Sequence, residues 1–176
     1  MVGACLSSID SMKERMIPSS CPYCGHTFEI KRDTFVIAGM NPQIDQRLEE
    51  GTYFTHQCSH CHKLYYLEQP FLYRDPKKKY ILVLSQQKHI ENLPPDEVVI
   101  HCQNALQFLF CFRVLSRNLN VRLVLQKKQQ LEQYTHKKAI FDTYDDQSHC
   151  LWFIVDDQPM AIRLKNTEIY DIVKKC

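Results

Sequence analysis

Two Cys-x-x-Cys pairs in the first third of the chain constrain its fold more than any other feature. The first pair is Cys21-Pro-Tyr-Cys24 and the second is Cys58-Ser-His-Cys61. Four thiols in two such pairs match the tetrahedral shell of structural zinc, which binds thiolate sulfur at about 2.3 Å. The sequence therefore predicts a Zn2+ site formed by Cys21, Cys24, Cys58 and Cys61.

The segment between the pairs predicts how they come together. It spans residues 25–57, which is longer than the spacing of about 15–20 residues in the compact zinc pattern. Alternating apolar residues in Thr27–Ala38 predict two short strands, and Asn41, Pro42 and Gly51 are typical of the two ends of a short helix. Further strands are predicted over residues 52–57, 63–68 and 80–84. Each cysteine pair therefore lies at a turn between strands.

Four thiolates predict a structural site and not a catalytic one. A catalytic zinc needs an open coordination position for water, and a closed shell with a net charge of about −2 is a poor Lewis acid. Four histidines lie beside the pairs, and a ring nitrogen from any of them is an alternative ligand in place of one cysteine. We interpret them as surface residues near turns. They are His26, His56, His60 and His62.

The first pair is also compatible with redox chemistry. Cys21-Pro-Tyr-Cys24 has the same letters as the dithiol motif of glutaredoxins. A dithiol catalyst needs its first cysteine at a helix start, where the helix dipole lowers the thiol pKa. A strand-like segment follows here instead, so a thiol-disulfide oxidoreductase centred on Cys21 and Cys24 is the less favoured alternative.

Composition and charge restrict the classes of molecule that the protein is expected to bind. The formal charge of +2 and the pI of about 8.0 give no general electrostatic reason for nucleic-acid binding. A nucleic-acid-binding zinc ribbon is kept as an alternative, with the basic turn from Arg74 to Lys79 and tyrosines 65, 66, 73 and 80 as its candidate surface. With only four glycines, no phosphate-binding loop is present, and no small-molecule substrate is evident.

The cysteine content predicts a reducing compartment. Nine cysteines is an odd number, and two pairs have metal spacing, which favours reduced thiols in the cytoplasm over a disulfide framework. No apolar run approaches the ~20 residues that a membrane span needs. We therefore expect a cytoplasmic protein with no membrane association.

The second half has a different pattern. A polar linker follows Ser85, and Asp96 can begin a helix that carries apolar residues on one face. A second helix is predicted over Asn120–Tyr134, followed by three strands and a closing helix from about Thr167. Trp152 and Phe153 are both interpreted as core residues. The three strands are predicted over residues 139–144, 150–155 and 160–164.

The run from Ser20 to Ser85 resembles the CpXC domain, a bacterial and archaeal family named for its Cys-Pro-x-Cys motifs. The resemblance lies in both cysteine pairs, in Asn41-Pro42 with the helix to Gly51, and in Pro70-Phe-Leu-Tyr-Arg-Asp75. Ser59 departs from the family pattern, which has proline there; proline stiffens the turn but binds no metal. The resemblance implies a metal-binding domain of uncharacterised function.

The predicted fold class is α+β: a zinc-ribbon-like antiparallel β module with a short inserted helix, followed by a small α+β half. The predicted divisions are an N-terminal leader (1–17), the zinc-binding module (18–86) and the C-terminal region (87–176). We expect a non-catalytic zinc-binding protein, acting as an interaction or regulatory module, with a protein as the favoured partner.

Overall fold

A computed structural model describes residues 14–85 and 93–173 of the chain. Within those residues it has eleven strands in several small sheets and four helices, which confirms the α+β class. Residues 1–13 of the predicted leader and residues 86–92 of the predicted linker lie outside the described residues. The chain divides into two compact units, Met1–Phe108 and Leu109–Cys176.

The elements of the first unit follow one another in chain order. They are β1 (Glu14–Ser20), β2 (Thr27–Asp33), β3 (Phe35–Ile37), α1 (Pro42–Glu50), β4 (Thr55–Gln57), β5 (Leu64–Tyr66), β6 (Phe71–Asp75), β7 (Tyr80–Leu84) and β8 (Val98–Cys102). Helix α2 (Ala105–Leu115) begins in this unit, and the division falls within it.

 Five strand pairings join these strands: β1–β2, β3–β6, β6–β7, β7–β8 and β4–β5.

The sheets of this unit are two ribbons and one mixed sheet. Strands β1–β2 and β4–β5 form separate antiparallel ribbons, and the third sheet has the order β3-β6-β7-β8. The predicted antiparallel pairing holds for both ribbons and for β6–β7. The pairings β3–β6 and β7–β8 are parallel instead. Between β3 and β6, α1 with β4–β5 supplies the long connection that a parallel pair needs.

Helix α1 has the ends that its sequence predicts. The Asn41 side chain accepts hydrogen bonds from the N–H groups of Gln43 (3.2 Å) and Ile44 (3.4 Å), and Pro42 occupies the first turn. Gly51 ends the helix in the left-handed conformation with φ +76°. The buried side chains of Ile44 and Leu48 attach the helix to the core.

A buried aromatic cluster forms much of the core beside the mixed sheet. The ring centroids of Tyr53 and Phe71 are 4.9 Å apart, and those of Phe54 and Phe108 are 5.4 Å apart. All five residues of β7 are buried. These contacts form an apolar interior in the first unit.

The structure corrects two boundaries that the sequence suggested. The predicted helix from Asp96 is wrong, because Val98–Cys102 is strand β8 and the helix begins only at Ala105. Consecutive β-branched residues in Val98–Ile100 favour a strand, and β7 offers a partner. Residues 14–17, placed in the leader by the sequence, belong to β1. The Ala105 N–H donates to Glu68 Oε1 at 2.7 Å, which anchors the start of α2.

The second unit packs one long helix on a three-stranded antiparallel sheet. Asn120 caps this helix as predicted, accepting N–H groups of Arg122 (3.0 Å) and Leu123 (3.4 Å). The predicted closing helix is only four residues long, because the next residues bond elsewhere: the Asn120 N–H donates to Ile172 O at 2.8 Å. The elements are α3 (Val121–Thr135), β9 (Ile140–Asp145), β10 (Cys150–Val155), β11 (Gln158–Arg163) and α4 (Asn166–Ile169).

The two aromatic residues of β10 have different surroundings. Phe153 is fully buried in the core of this unit, together with Phe141 and Leu151. Trp152 is only partly buried, because successive side chains of a strand point to opposite faces of the sheet. The interpretation of Trp152 as a core residue is therefore wrong. No helix in the described part of the chain is long and apolar enough to cross a membrane.

Candidate metal centre

The first cysteine pair lies in the tight turn that joins β1 to β2. The Gly25 N–H donates to Cys21 O, and the Cys21 N–H donates to His26 O, both at 2.9 Å. The Tyr23 N–H points at Cys21 Sγ, 3.4 Å away. The backbone therefore folds around the first sulfur and directs an N–H group at it.

The second pair repeats this turn between β4 and β5. The His62 N–H donates to Cys58 O at 2.9 Å, and the Cys58 N–H donates to Lys63 O at 3.0 Å. The N–H groups of His60 and Cys61 point at Cys58 Sγ from 3.4 and 3.5 Å. The two turns thus share three hydrogen bonds at equivalent positions, and we call them the first and second knuckle.

One backbone position in each knuckle is left-handed. Gly25 has φ +71° and the equivalent residue His62 has φ +59°. A side chain disfavours this conformation, so the second knuckle, with His62 at this position, is the more strained of the two.

The two knuckles bring the four sulfurs into a compact set. Cys21 Sγ lies 3.6 Å from Cys61 Sγ, and Cys24 Sγ lies 3.7 Å from Cys58 Sγ. All four sulfur atoms lie within 4.8 Å of one another. A tetrahedron with metal–sulfur bonds of about 2.3 Å has edges of about 3.8 Å. The set therefore fits a tetrahedral metal, and these cysteines could hold a metal ion.

Stacked rings also join the two ribbons beside the sulfurs. The rings of Phe28 and His56 are 4.8 Å apart and within 11° of parallel. His26 stacks on His60 at 5.5 Å, and His56 meets the edge of Tyr65 at 5.4 Å. The sequence did not predict these ring contacts, because nothing in the separate strands indicates which rings meet.

Without a bound cation, the surroundings of the four thiols prevent all of them from being deprotonated together. The N–H groups of Cys61 and His60 lower the pKa of Cys58 to about 6, against the opposing effect of desolvation. The His26 N–H acts in the same direction on Cys24, but desolvation and the other three sulfurs outweigh it and raise the pKa of Cys24 to about 12. A bound dication removes this conflict, since it stabilises every thiolate together.

The histidines considered as alternative ligands do not join the sulfur set. Among the described residues, the donor atoms that lie together there are sulfurs alone. His26, His56 and His60 take part in ring contacts, and His62 occupies the left-handed position of its turn. Burial, followed by the nearby Arg32 charge, lowers the pKa of His56.

Three residues of the candidate nucleic-acid surface are buried or paired within the fold. Arg74 forms a two-pronged ion pair with Glu97, whose closest approach is 2.6 Å from Nη2 to Oε1. Tyr73 and Tyr80 are buried and so are not available for stacking on bases. Cys21 follows strand β1 and no helix begins at this cysteine, so the helix start typical of a dithiol catalyst is not found there.

Two matching knuckles and a compact four-sulfur set define an α+β protein with a candidate metal centre. The family model described as CpXC protein matches residues 19–149, and the chain belongs to that family. The match extends well beyond Ser85, where the resemblance in the sequence ended. No curated protein and no solved structure matches the chain.

Substitutions at the left-handed positions are expected to have opposite effects. An added Cβ at Gly25 meets no atom within 4 Å, so Gly25→Ala is expected to lose about 1 kcal/mol from backbone strain alone. His62→Gly removes similar strain and is expected to be neutral or stabilising by up to about 1 kcal/mol. Urea unfolding with zinc present measures both.

Gly39 is the matched control for these two substitutions. It has φ +79° and equally open space, but lies outside the knuckles. Gly39→Ala is expected to lose stability without changing metal affinity. A loss of stability in His62→Gly as large as that in Gly25→Ala would contradict the account of the second knuckle.

Proposed function

We propose that this protein is a non-catalytic, zinc-stabilised interaction module, with Zn2+ bound by Cys21, Cys24, Cys58 and Cys61 and a protein as its partner. The observation that carries the proposal is the four-sulfur set, whose contacts of 3.6 and 3.7 Å match the edges of a zinc–thiolate tetrahedron. When bound, the ion would supply a crosslink between the two knuckles.

The donor set supports zinc and a structural role. Soft thiolates in tetrahedral geometry favour zinc over the hard cations that prefer oxygen ligands. Four protein ligands leave no position for a water molecule or substrate. Thiolates must stay reduced to bind the metal, so the proposal places the protein in a reducing compartment such as the cytoplasm.

The surface of the second ribbon supports a protein partner. Leu64 is 61% exposed and Tyr66 is 44% exposed, and both lie on the outward face of β5. Tyr23, on the first knuckle, is also exposed, and Lys63 Nζ lies 4.8 Å from its ring centroid. Exposed aromatic and aliphatic side chains of this kind are typical of protein interfaces.

Crosslinking capture from cells that contain the protein tests the partner. The double variant Leu64→Ser/Tyr66→Ser is expected to lose the protein captured by the unchanged chain and to keep its zinc. Met40→Ser is the matched control, since Met40 is equally exposed but lies outside both ribbons. Capture that is unchanged in the double variant would contradict this surface, and salt-sensitive retention of nucleic acid in place of protein would contradict the partner class.

A further inference from the structure

The four cysteines of the sulfur set differ in their exposure. Cys21 and Cys58, the first cysteine of each pair, are 2% and 0% exposed. Cys24 is exposed and Cys61 is partly exposed. A solute that reacts with sulfur therefore reaches the second cysteine of each pair first, and Cys24 is the more accessible of the two.

Each sulfur contact joins an accessible cysteine to a buried one in the other knuckle. Cys24 Sγ contacts Cys58 Sγ at 3.7 Å, and Cys61 Sγ contacts Cys21 Sγ at 3.6 Å. A thiolate attacks an oxidised sulfur that lies beside it. The contacts therefore favour disulfides between the knuckles.

We propose that Cys24 is an oxidation site at which a peroxide forms a Cys24–Cys58 disulfide and releases the metal. This inference rests on the proposed zinc site. It adds a redox response that is stoichiometric and reversible, in contrast to the catalytic exchange considered for Cys21 and Cys24.

The chemistry balances with hydrogen peroxide as the oxidant. The Cys24 thiolate attacks one peroxide oxygen, the O–O bond breaks, and Cys24 becomes a sulfenic acid as hydroxide leaves. The Cys58 thiolate then attacks Cys24 sulfur, the S–S bond forms, the S–O bond breaks, and a second hydroxide leaves. The two thiolates lose two electrons and the peroxide gains two.

The product keeps the two knuckles joined. Two of the four candidate ligands are consumed, so the remaining pair holds zinc weakly. The new bond crosses between the ribbons, and it replaces the metal as the crosslink. A disulfide within either Cys-x-x-Cys pair would leave the ribbons without this link.

Peroxide titration of the zinc-loaded full chain tests the proposal. A chromogenic chelator measures zinc release, alkylation counts the remaining thiols, and peptide mass mapping identifies the disulfides. We expect about one zinc released for every two thiols lost, a Cys24–Cys58 disulfide as the first product, and recovery of zinc binding after reduction.

Three results would overturn it: a first disulfide within Cys21/Cys24 or Cys58/Cys61, irreversible oxidation of Cys24 without a disulfide, or full zinc retention while other thiols oxidise. Cys150→Ser is the control, because Cys150 is also partly exposed but lies outside the set; it is expected to leave release unchanged. Metal analysis before peroxide separates the two proposals. A folded chain without zinc overturns both, whereas bound zinc that peroxide does not release overturns only this one.

Discussion

Replacing Cys58 by serine is expected to abolish stoichiometric metal binding and to destabilise the first unit. The Cys58 sulfur is fully buried and receives two backbone N–H groups, so no other group can take its place. A 1,000-fold loss of zinc affinity removes about 4 kcal/mol of ligand-linked stability. Zinc titration and urea unfolding at fixed zinc concentration measure the two effects.

Cys150→Ser is the matched control for this substitution. The Cys150 sulfur does not belong to the four-sulfur set. A serine hydroxyl can replace its hydrogen bond to Ser148 O, which is 3.5 Å long. We expect unchanged zinc content and a stability change below about 1 kcal/mol. A Cys58→Ser protein that still binds one zinc with unchanged affinity would contradict the assignment of this ligand.

The second large effect is expected at a buried ion pair in the second unit. Lys127 Nζ lies 2.6 Å from Glu168 Oε1, and Lys127 is 5% exposed. Lys127→Ala leaves the partly buried Glu168 carboxylate without its ammonium partner and is expected to lose about 3 kcal/mol. Fluorescence of Trp152, the single tryptophan of the chain, reports unfolding of this unit.

Two comparison variants separate the effect of burying the ion pair on stability from the effect of its charges. Lys137 pairs with Asp156 at the surface of the same unit, and Lys137→Ala is expected to lose no more than about 1 kcal/mol. The double substitution Lys127→Met/Glu168→Leu removes both buried charges and is expected to recover most of the stability. Equal losses in Lys127→Ala and Lys137→Ala would show that burial of the first pair is unimportant.

The same ion pair predicts a direction of pH dependence. Burial alone would raise the pKa of Glu168, but the Lys127 ammonium and the Lys165 N–H outweigh it and hold that pKa below its ordinary value. A carboxylate with a lowered folded-state pKa stabilises the fold above its unfolded-state pKa of about 4.3. We expect this contribution to vanish as the pH falls through the folded-state value. The pH dependence should be weaker in the Lys127→Met/Glu168→Leu variant; an identical profile would contradict this explanation.

Local signals in the sequence predicted the parts of the fold that depend on neighbouring residues. Asn41 and Gly51 mark the ends of α1, and Asn120 marks the start of α3, because capping acts within a few residues. The two cysteine pairs could be recognised from the sequence alone, because the spacing within each Cys-x-x-Cys pair is local. Both cysteine pairs lie at turns between strands as predicted.

Features that depend on distant partners were not predictable from the sequence. Val98–Cys102 becomes a strand because β7 pairs with it, although its apolar spacing also suits a helix. The stack of Phe28 on His56 depends on how two ribbons meet. The side of the sheet that Trp152 faces depends on which side α3 covers, and no local pattern records that.

The metal content of the purified full chain tests the central claim most directly. Elemental analysis, with cobalt substitution to report tetrahedral thiolate coordination, measures both the amount of metal and the ligand type. The account predicts about one zinc per chain and a cobalt spectrum of four thiolates. A well-folded chain that contains no zinc and takes up no cobalt would contradict it.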